Sequence, residues 1–229
     1  MNYIVIGLGS FGSAIAVNLT EAGHEVMGVD KDVNRIEALK ERVTHGIALD
    51  ATDQYAMAEL PIQQTDMVIV AIGEDIGANI MSTAILKQLK AKTLVSRAIS
   101  RVHQTVLEAM HVDIVINPED EAAEIWAIKL AMNGVQDVHS LAGPYYVIEI
   151  QVPKGFVGQT LENLKLLQEY KVLVLTTFTP REVLNPLGIT KKDYIINKIA
   201  SPDTEFKENE IMVVYGNIKD IRKMLSAFQ

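Results

Sequence analysis

The chain predicts an α/β fold: a Rossmann-like doubly wound parallel sheet with a small α+β C-terminal domain. Three observations carry this. Short β-branched runs alternate with segments of helical period up to about residue 117. The triplet Gly7, Gly9 and Gly12 stands between the first such run and the first helical segment. From Pro118 the alternation gives way to one long helical stretch and then to strand-like runs.

The strand candidates of the first part are YIVIG (3–7), EVMGVD (25–30), HGIALD (45–50), DMVIVAIG (66–73), TLVSR (93–97) and DIVIN (113–117). Helical segments are expected between them at 11–22, 32–42, 53–59, 75–89 and 101–110. In the second of these, Ile36, Leu39, Lys40 and Val43 form a stripe with charges elsewhere. Strand and helix in strict alternation mean parallel pairing through right-handed crossovers, hence an open sheet covered on both faces.

The stretch EDEAAEIWAIKLAMN reads as a crossover helix, with acids in its first turn where the helix dipole favours them and Gly134 as its C-cap. Beyond it, strands are expected at 145–152, 171–178, 193–200 and 210–216, a helix near 158–167, and a last helix in IKDIRKMLSAF. Residues 1–134 are therefore expected to form a nucleotide-binding domain that includes the crossover helix, and 135–229 a small α+β domain.

Composition excludes several classes. The 229 residues carry a formal net charge of -8, so no uniform positive field exists to attract nucleic acid or anionic lipid. Without cysteine there are no disulfides, thiolate metal sites or cysteine nucleophile, which suits a reducing cytoplasm. The opening MNYIVIGLGS lacks the charged start and long apolar core of a signal peptide. No apolar stretch approaches the roughly 20 residues that span a bilayer, so direct membrane insertion is not expected and a membrane would be met through a partner.

The glycine triplet follows a strand and opens a helix, the context in which this spacing carries meaning. Gly7 permits the tight turn, Gly9 lets a phosphate approach the backbone, and Gly12 lets helix and strand pack closely. The helix start, with Ser10 and Phe11, offers unpaired N–H groups and positive dipole to phosphates. Asp30 ends the second strand, placed to accept from both ribose hydroxyls, with Lys31 beside it; an acid there repels a 2'-phosphate and disfavours NADP. Asp50, Ala51 and Thr52 are placed either to edge an adenine or in a plain loop. Ala71, Ile72 and Gly73 leave room for a ligand at the strand ends, and Arg97 is within reach of phosphates or of solvent.

A dehydrogenase needs a proton donor or acceptor beside the nicotinamide. The five histidines, His24, His45, His103, His111 and His139, lie in no recognisable catalytic context, and no HExxH, GxSxG or P-loop pattern occurs. A binding module is therefore favoured over an enzyme. A small NAD-dependent oxidoreductase and a nucleotide-binding subunit of another transporter or antiporter are the alternatives.

Taken in order, GLGSFG, the strand ending in Asp30, LDATD, VIVAIGED, LEAMHVDIVINPEDEAAEIWA and SPDTEFKENEIMVVYG resemble the KTN/RCK regulatory subunits of Trk- and Ktr-type potassium uptake systems. The resemblance covers essentially the whole chain. It implies a cytoplasmic protein, peripheral to the inner face of the membrane, that dimerises through its C-terminal domain. It also implies assembly into an octameric ring under a membrane potassium transporter subunit, whose gating it regulates. It further implies ATP, ADP or NAD(H) in the N-terminal cleft, with Gly7, Gly9 and Gly12 on phosphates and Asp30 on the ribose. Asp50, Ala51 and Thr52 would hold the adenosine end, and Arg97 would lie near ribose or phosphates. Glu119 matches an acid that in some members helps place a cation, and some relatives take cyclic di-AMP between paired C-terminal domains. Where members that distinguish ATP from ADP carry an arginine in the glycine loop, this chain has Ser10, which offers a γ-phosphate no charge-assisted fork. NAD(H), ADP and AMP thus stand beside ATP as ligands.

Overall fold

The computed structural model describes residues 1–184 and 190–228. The chain divides into two compact units, Met1–Asp120 and Glu121–Gln229.

In the first unit six strands alternate with five helices: β1 Asn2–Ile6, α1 Ser10–Glu21, β2 Glu25–Asp30, α2 Val33–Leu39, β3 His45–Ala48, α3 Gln54–Ala58, β4 Met67–Val70, α4 Ile76–Gln88, β5 Leu94–Arg97, α5 Arg101–Ala109 and β6 Ile114–Ile116. All pairings are parallel and the order is β3-β2-β1-β4-β5-β6. The order reverses between β1 and β4, and at such a switch point the loops diverge and leave a crevice at the strand carboxyl ends.

The two-residue period of the strands sorts the core into two layers. Ile4, Ile6, Val68, Val70 and Leu94 pack on one face with Met57 of α3 and Leu86 of α4. Val5, Ile69 and Val95 pack on the other with Ala16 and Val17 of α1 and Ile36 and Leu39 of α2. Both faces are covered, so the strands read as near-continuous apolar runs.

Four expected strands of this unit end early, and the reason bears on the site. β1 stops at Ile6, β3 at Ala48, β4 at Val70 and β6 at Ile116. The following residues, Leu49–Asp50 and Ala71–Gly73 among them, have left the sheet to form the crevice wall. Val43 is buried as the stripe in α2 requires, but from the turn after the helix.

The second unit contains most of α6 Pro118–Ala131, then β7 Val135–Ala142, β8 Tyr145–Gln151, α7 Leu161–Leu164, α8 Leu166–Tyr170, β9 Leu173–Leu184, β10 Thr190–Ile199, β11 Ile211–Asn217 and α9 Ile218–Ala227. Its antiparallel sheet has the order β10-β9-β11-β8-β7. The division falls earlier than the expected 134/135 boundary because Ile128 and Met132 pack into the second core, with Ile148, Ile150 and Met212. Gly134, expected as the C-cap, adopts φ +83 in the turn between α6 and β7 rather than at the helix end.

Three other differences have local causes. β7 went unread because only Val138 of its residues is buried. The helix expected near 158–167 is broken into α7 and α8 by Lys165, at φ 48. β9 continues beyond Pro180 because β11 pairs only as far as Phe178, leaving Pro180 on an edge where its missing N–H costs no ladder bond. No helix among the described residues is long and apolar enough to cross a membrane.

Candidate functional site

A cleft of about 570 Å³ opens at the switch point, inside the first unit, within the size range of small-molecule sites. It is lined by Gly7, Gly9, Ser10 and Phe11 from the glycine turn, Asp30 and Lys31 from the end of β2, and Asp50, Ala51 and Thr52 from the loop after β3. Ala71, Ile72 and Gly73 after β4, Arg97 at the end of β5 and Glu119 in the first turn of α6 also line it. Of the residues predicted from sequence, only Gly12 is absent from the lining, for a reason its geometry supplies.

The three glycines are not equivalent. Gly7 has φ +90, and a Cβ there would lie 2.8 Å from Ile72 Cγ1. A Cβ at Gly12 would collide with the carbonyl oxygen of Gly7. Both are therefore required by the protein's own packing. Gly9 is different: its φ of -68 and ψ of -169 suit any residue, and a Cβ would meet only Arg35 Nη1, at 3.8 Å. The protein alone gives no reason for glycine at this position.

Helix α1 starts at Gly9 with no side chain capping it, whereas Asp32, Asp53, Asp75 and Ser100 cap α2, α3, α4 and α5. Its first N–H groups therefore lack a side-chain acceptor where Gly9, Ser10 and Phe11 line the cleft, and are available as donors to an anion.

Asp30 is buried, and both carboxylate oxygens already work for the loop. Oδ2 accepts from Leu8 N at 2.6 Å and Oδ1 from Asp32 N at 2.8 Å. Oδ1 retains a further lone pair for a ligand hydroxyl, and a hydroxyl at Oδ2 would take the place of Arg35 Nη1, which reaches that oxygen at 3.4 Å. The Asp50 carboxylate accepts from the Thr52 N–H at 2.9 Å and the Thr52 hydroxyl at 2.7 Å. These bonds, with Lys31 nearby, hold Asp50 below the usual carboxylate range.

Two guanidinium groups face the cleft. Arg97 lies with Cζ 5.2 Å from the Phe11 ring centroid and is ion-paired with Glu119, while its Nε is buried without a hydrogen-bond partner among the described residues. Arg35 reaches Asp30 at 3.4 Å and Glu74 at 3.3 Å. Arg35 and Glu74 were missed in the sequence. Arg35 read as one of the solvated charges of α2, and the available signal was its place in the first turn after Asp30. Glu119, read as a cation ligand, is engaged by Arg97, and no group of three His, Asp or Glu side chains among the described residues is arranged to hold a metal ion.

The TrkA-N domain model matches residues 3–118. The chain is 30% identical to the Ktr system potassium uptake protein C of Bacillus subtilis, across 96% of this chain and 94% of that protein. It is 28% identical to the Ktr system potassium uptake protein A of the same organism, again across 96% and 94%. Among solved structures, the GsuK RCK domain superposes with a TM-score of 0.64 at 13% identity, covering 98% of this chain and 47% of that one, a likeness of fold. With its first unit matched almost end to end and Ktr proteins as relatives along nearly its whole length, the chain belongs to the TrkA-N family.

Proposed function

We propose that this protein is a cytoplasmic regulatory subunit of a potassium uptake system and that the cleft of its first unit binds an adenine nucleotide. The observation that carries the nucleotide reading is Gly9: a glycine that neither backbone conformation nor packing requires, at the uncapped start of α1, above an open cleft. A pyrophosphate explains all three, since it needs the volume a side chain would take and the N–H groups a cap would use. Asp30 supplies acceptors for the ribose hydroxyls, and the loop at Asp50, Ala51 and Thr52 edges the base.

Function follows from differential binding. A nucleotide that fits one conformation of a homo-oligomeric ring better than another shifts the population and so biases the membrane transporter subunit attached to it. A phosphate at Arg97 competes with Glu119 for the guanidinium, and Glu119 lies in α6, whose later residue Ile128 belongs to the second core together with Met132 just past the helix end. Nucleotide binding thereby acts on a helix common to both units. A cation at Glu119 would likewise have to displace Arg97.

The test is identification of copurified nucleotide by mass spectrometry together with the native mass of the assembly, with and without added ADP, ATP, AMP, NAD(H) and cyclic di-AMP. Bound adenine nucleotide on a multimer supports the reading. A monomer that takes none of these ligands refutes it.

A further inference from the structure

We propose that Asn79 is a positioning residue for the cleft and that, through it, His103 on α5 registers whether the cleft is filled. The inference rests on the reading of the cleft as a nucleotide site.

The β4–β5 ladder ends at the pair Val70 and Ser96. Beyond it the two strand ends diverge to form the cleft wall, and no backbone bond joins them. Asn79, fully buried in the first turns of α4, supplies the missing tie. Its Nδ2 donates to the carbonyl oxygens of Ile72 at 2.9 Å and of Arg97 at 3.1 Å, and both of those residues line the cleft. Its Oδ1 accepts from the Ser96 hydroxyl at 3.1 Å and faces His103 Nε2 at 3.2 Å. The amide's two N–H groups and two lone pairs are all in use.

This arrangement fixes the protons. Backbone carbonyls only accept, so the amide nitrogen must face Ile72 and Arg97 and the oxygen must face Ser96 and His103. His103 therefore carries its proton on Nε2. Its Nδ1 is buried without a partner among the described residues, so an imidazolium would place a second N–H where nothing accepts it. Burial alone pushes His103 below the usual histidine range, and the neutral form is the one that fits.

The tie bears on the ligand at two points. Ile72 packs against the backbone of Gly7 in the phosphate turn, and Arg97 presents its guanidinium over Phe11. A nucleotide that draws Arg97 or displaces Ile72 moves a carbonyl held by Asn79, and the strain reaches His103 through a single shared oxygen. His103 does not itself line the cleft, and Asn79 Oδ1 is the side-chain contact that joins it to the cleft-lining carbonyls.

The experiment titrates ADP into the full-length protein, followed by calorimetry and by ¹⁵N imidazole spectra in which His103 is assigned by loss of its signal in His103→Gln. The expected result is a shift of the His103 Nε2 signal at saturation and, in Asn79→Ala, ADP affinity weakened by about tenfold or more, since two buried carbonyls lose their donor. A folded Asn79→Ala protein that binds ADP within about twofold of the wild type, or a His103 signal unmoved at saturation, overturns the inference. If Asn79→Ala does not fold, the wild-type His103 signal decides alone. Absence of ADP, ATP, AMP and NAD binding by the wild type removes the nucleotide reading and this inference together. Binding with an unmoved His103 removes only the inference.

Discussion

Replacing Gly9 by valine separates what the fold needs from what the ligand needs. At φ -68 and ψ -169 a β-branched residue is unstrained, and its Cβ meets only the end of the flexible Arg35 side chain, at 3.8 Å. Valine is a poorer N-cap than glycine, at a cost of about 1 kcal/mol. The reduced freedom of the unfolded chain offsets roughly 0.4–1 kcal/mol of that. Net stability should thus change by no more than about 1 kcal/mol, a few degrees in the melting midpoint. Binding should change far more. If the branched side chain denies a pyrophosphate two charge-assisted bonds from the start of α1, at about 1.5–3 kcal/mol each, the loss is about 3–6 kcal/mol. That corresponds to roughly two to four orders of magnitude in affinity. Calorimetry with ADP and NAD, paired with a circular-dichroism melt, reads both quantities, and Gly12→Ala serves as the contrast because its Cβ collides with the Gly7 carbonyl and should unfold the turn. A folded Gly9→Val protein with unchanged affinity for every adenine nucleotide would refute the reasoning.

Asp30→Ala should weaken adenosine nucleotides by about one to two orders of magnitude and also lower the melting midpoint, because the Leu8 and Asp32 N–H groups lose their acceptor; equal binding of ribose and 2'-deoxyribose nucleotides by the unmutated protein would count against the ribose role. ATP should bind no more than about tenfold more tightly than ADP, about 1.4 kcal/mol, because Ser10 is neutral and both arginines already face carboxylates. In a competitive titration, an ATP preference beyond about a hundredfold that survives both Arg35→Ala and Arg97→Ala would contradict this. In the second unit, burial and the facing Asp137 push Glu149 above its ordinary value, against the opposing pull of His139 and Lys129. The folded protein thus holds that proton more tightly than the unfolded chain, and stability falls as pH rises from the ordinary glutamate range through the raised folded value. Glu149→Gln should flatten that fall, and thermal melts whose pH dependence matches the wild type's would exclude the effect.

The parts legible in the sequence are those set by local chemistry. β-branched runs bounded by turn residues marked all six parallel strands, and a glycine spacing with an acid at the end of the next strand marked most of the cleft. The missing parts depend on partners distant in the chain. β7 is an edge strand that buries one residue, so its sequence carries almost no period. Arg35 sits in a charged segment, Lys31–Arg42, and only the fold turns it toward Asp30 and Glu74. Asn79 reads as an ordinary polar residue in α4 until the diverging ends of β4 and β5 leave two carbonyls for it to satisfy.

The two arginines differ in how readily each can exchange a carboxylate for a phosphate. Arg35 is 38% exposed and its partner Glu74 82%, so that pair contributes about 0–1 kcal/mol and yields to a ligand at little cost. Arg97 is only 16% exposed, stacked over Phe11, with its Nε already stripped of water and unsatisfied. A buried donor without an acceptor costs about 1–3 kcal/mol, a debt that a phosphate oxygen placed at that edge would remove. The acids around the cleft, Asp30, Asp50, Glu74, Asp75 and Glu119, oppose each added negative charge, while the backbone N–H groups of α1 favour the first phosphates nearest to them. The balance favours a ligand with few charges close to the turn, and it makes Arg97, more than Arg35, the group whose rearrangement distinguishes an occupied cleft from an empty one.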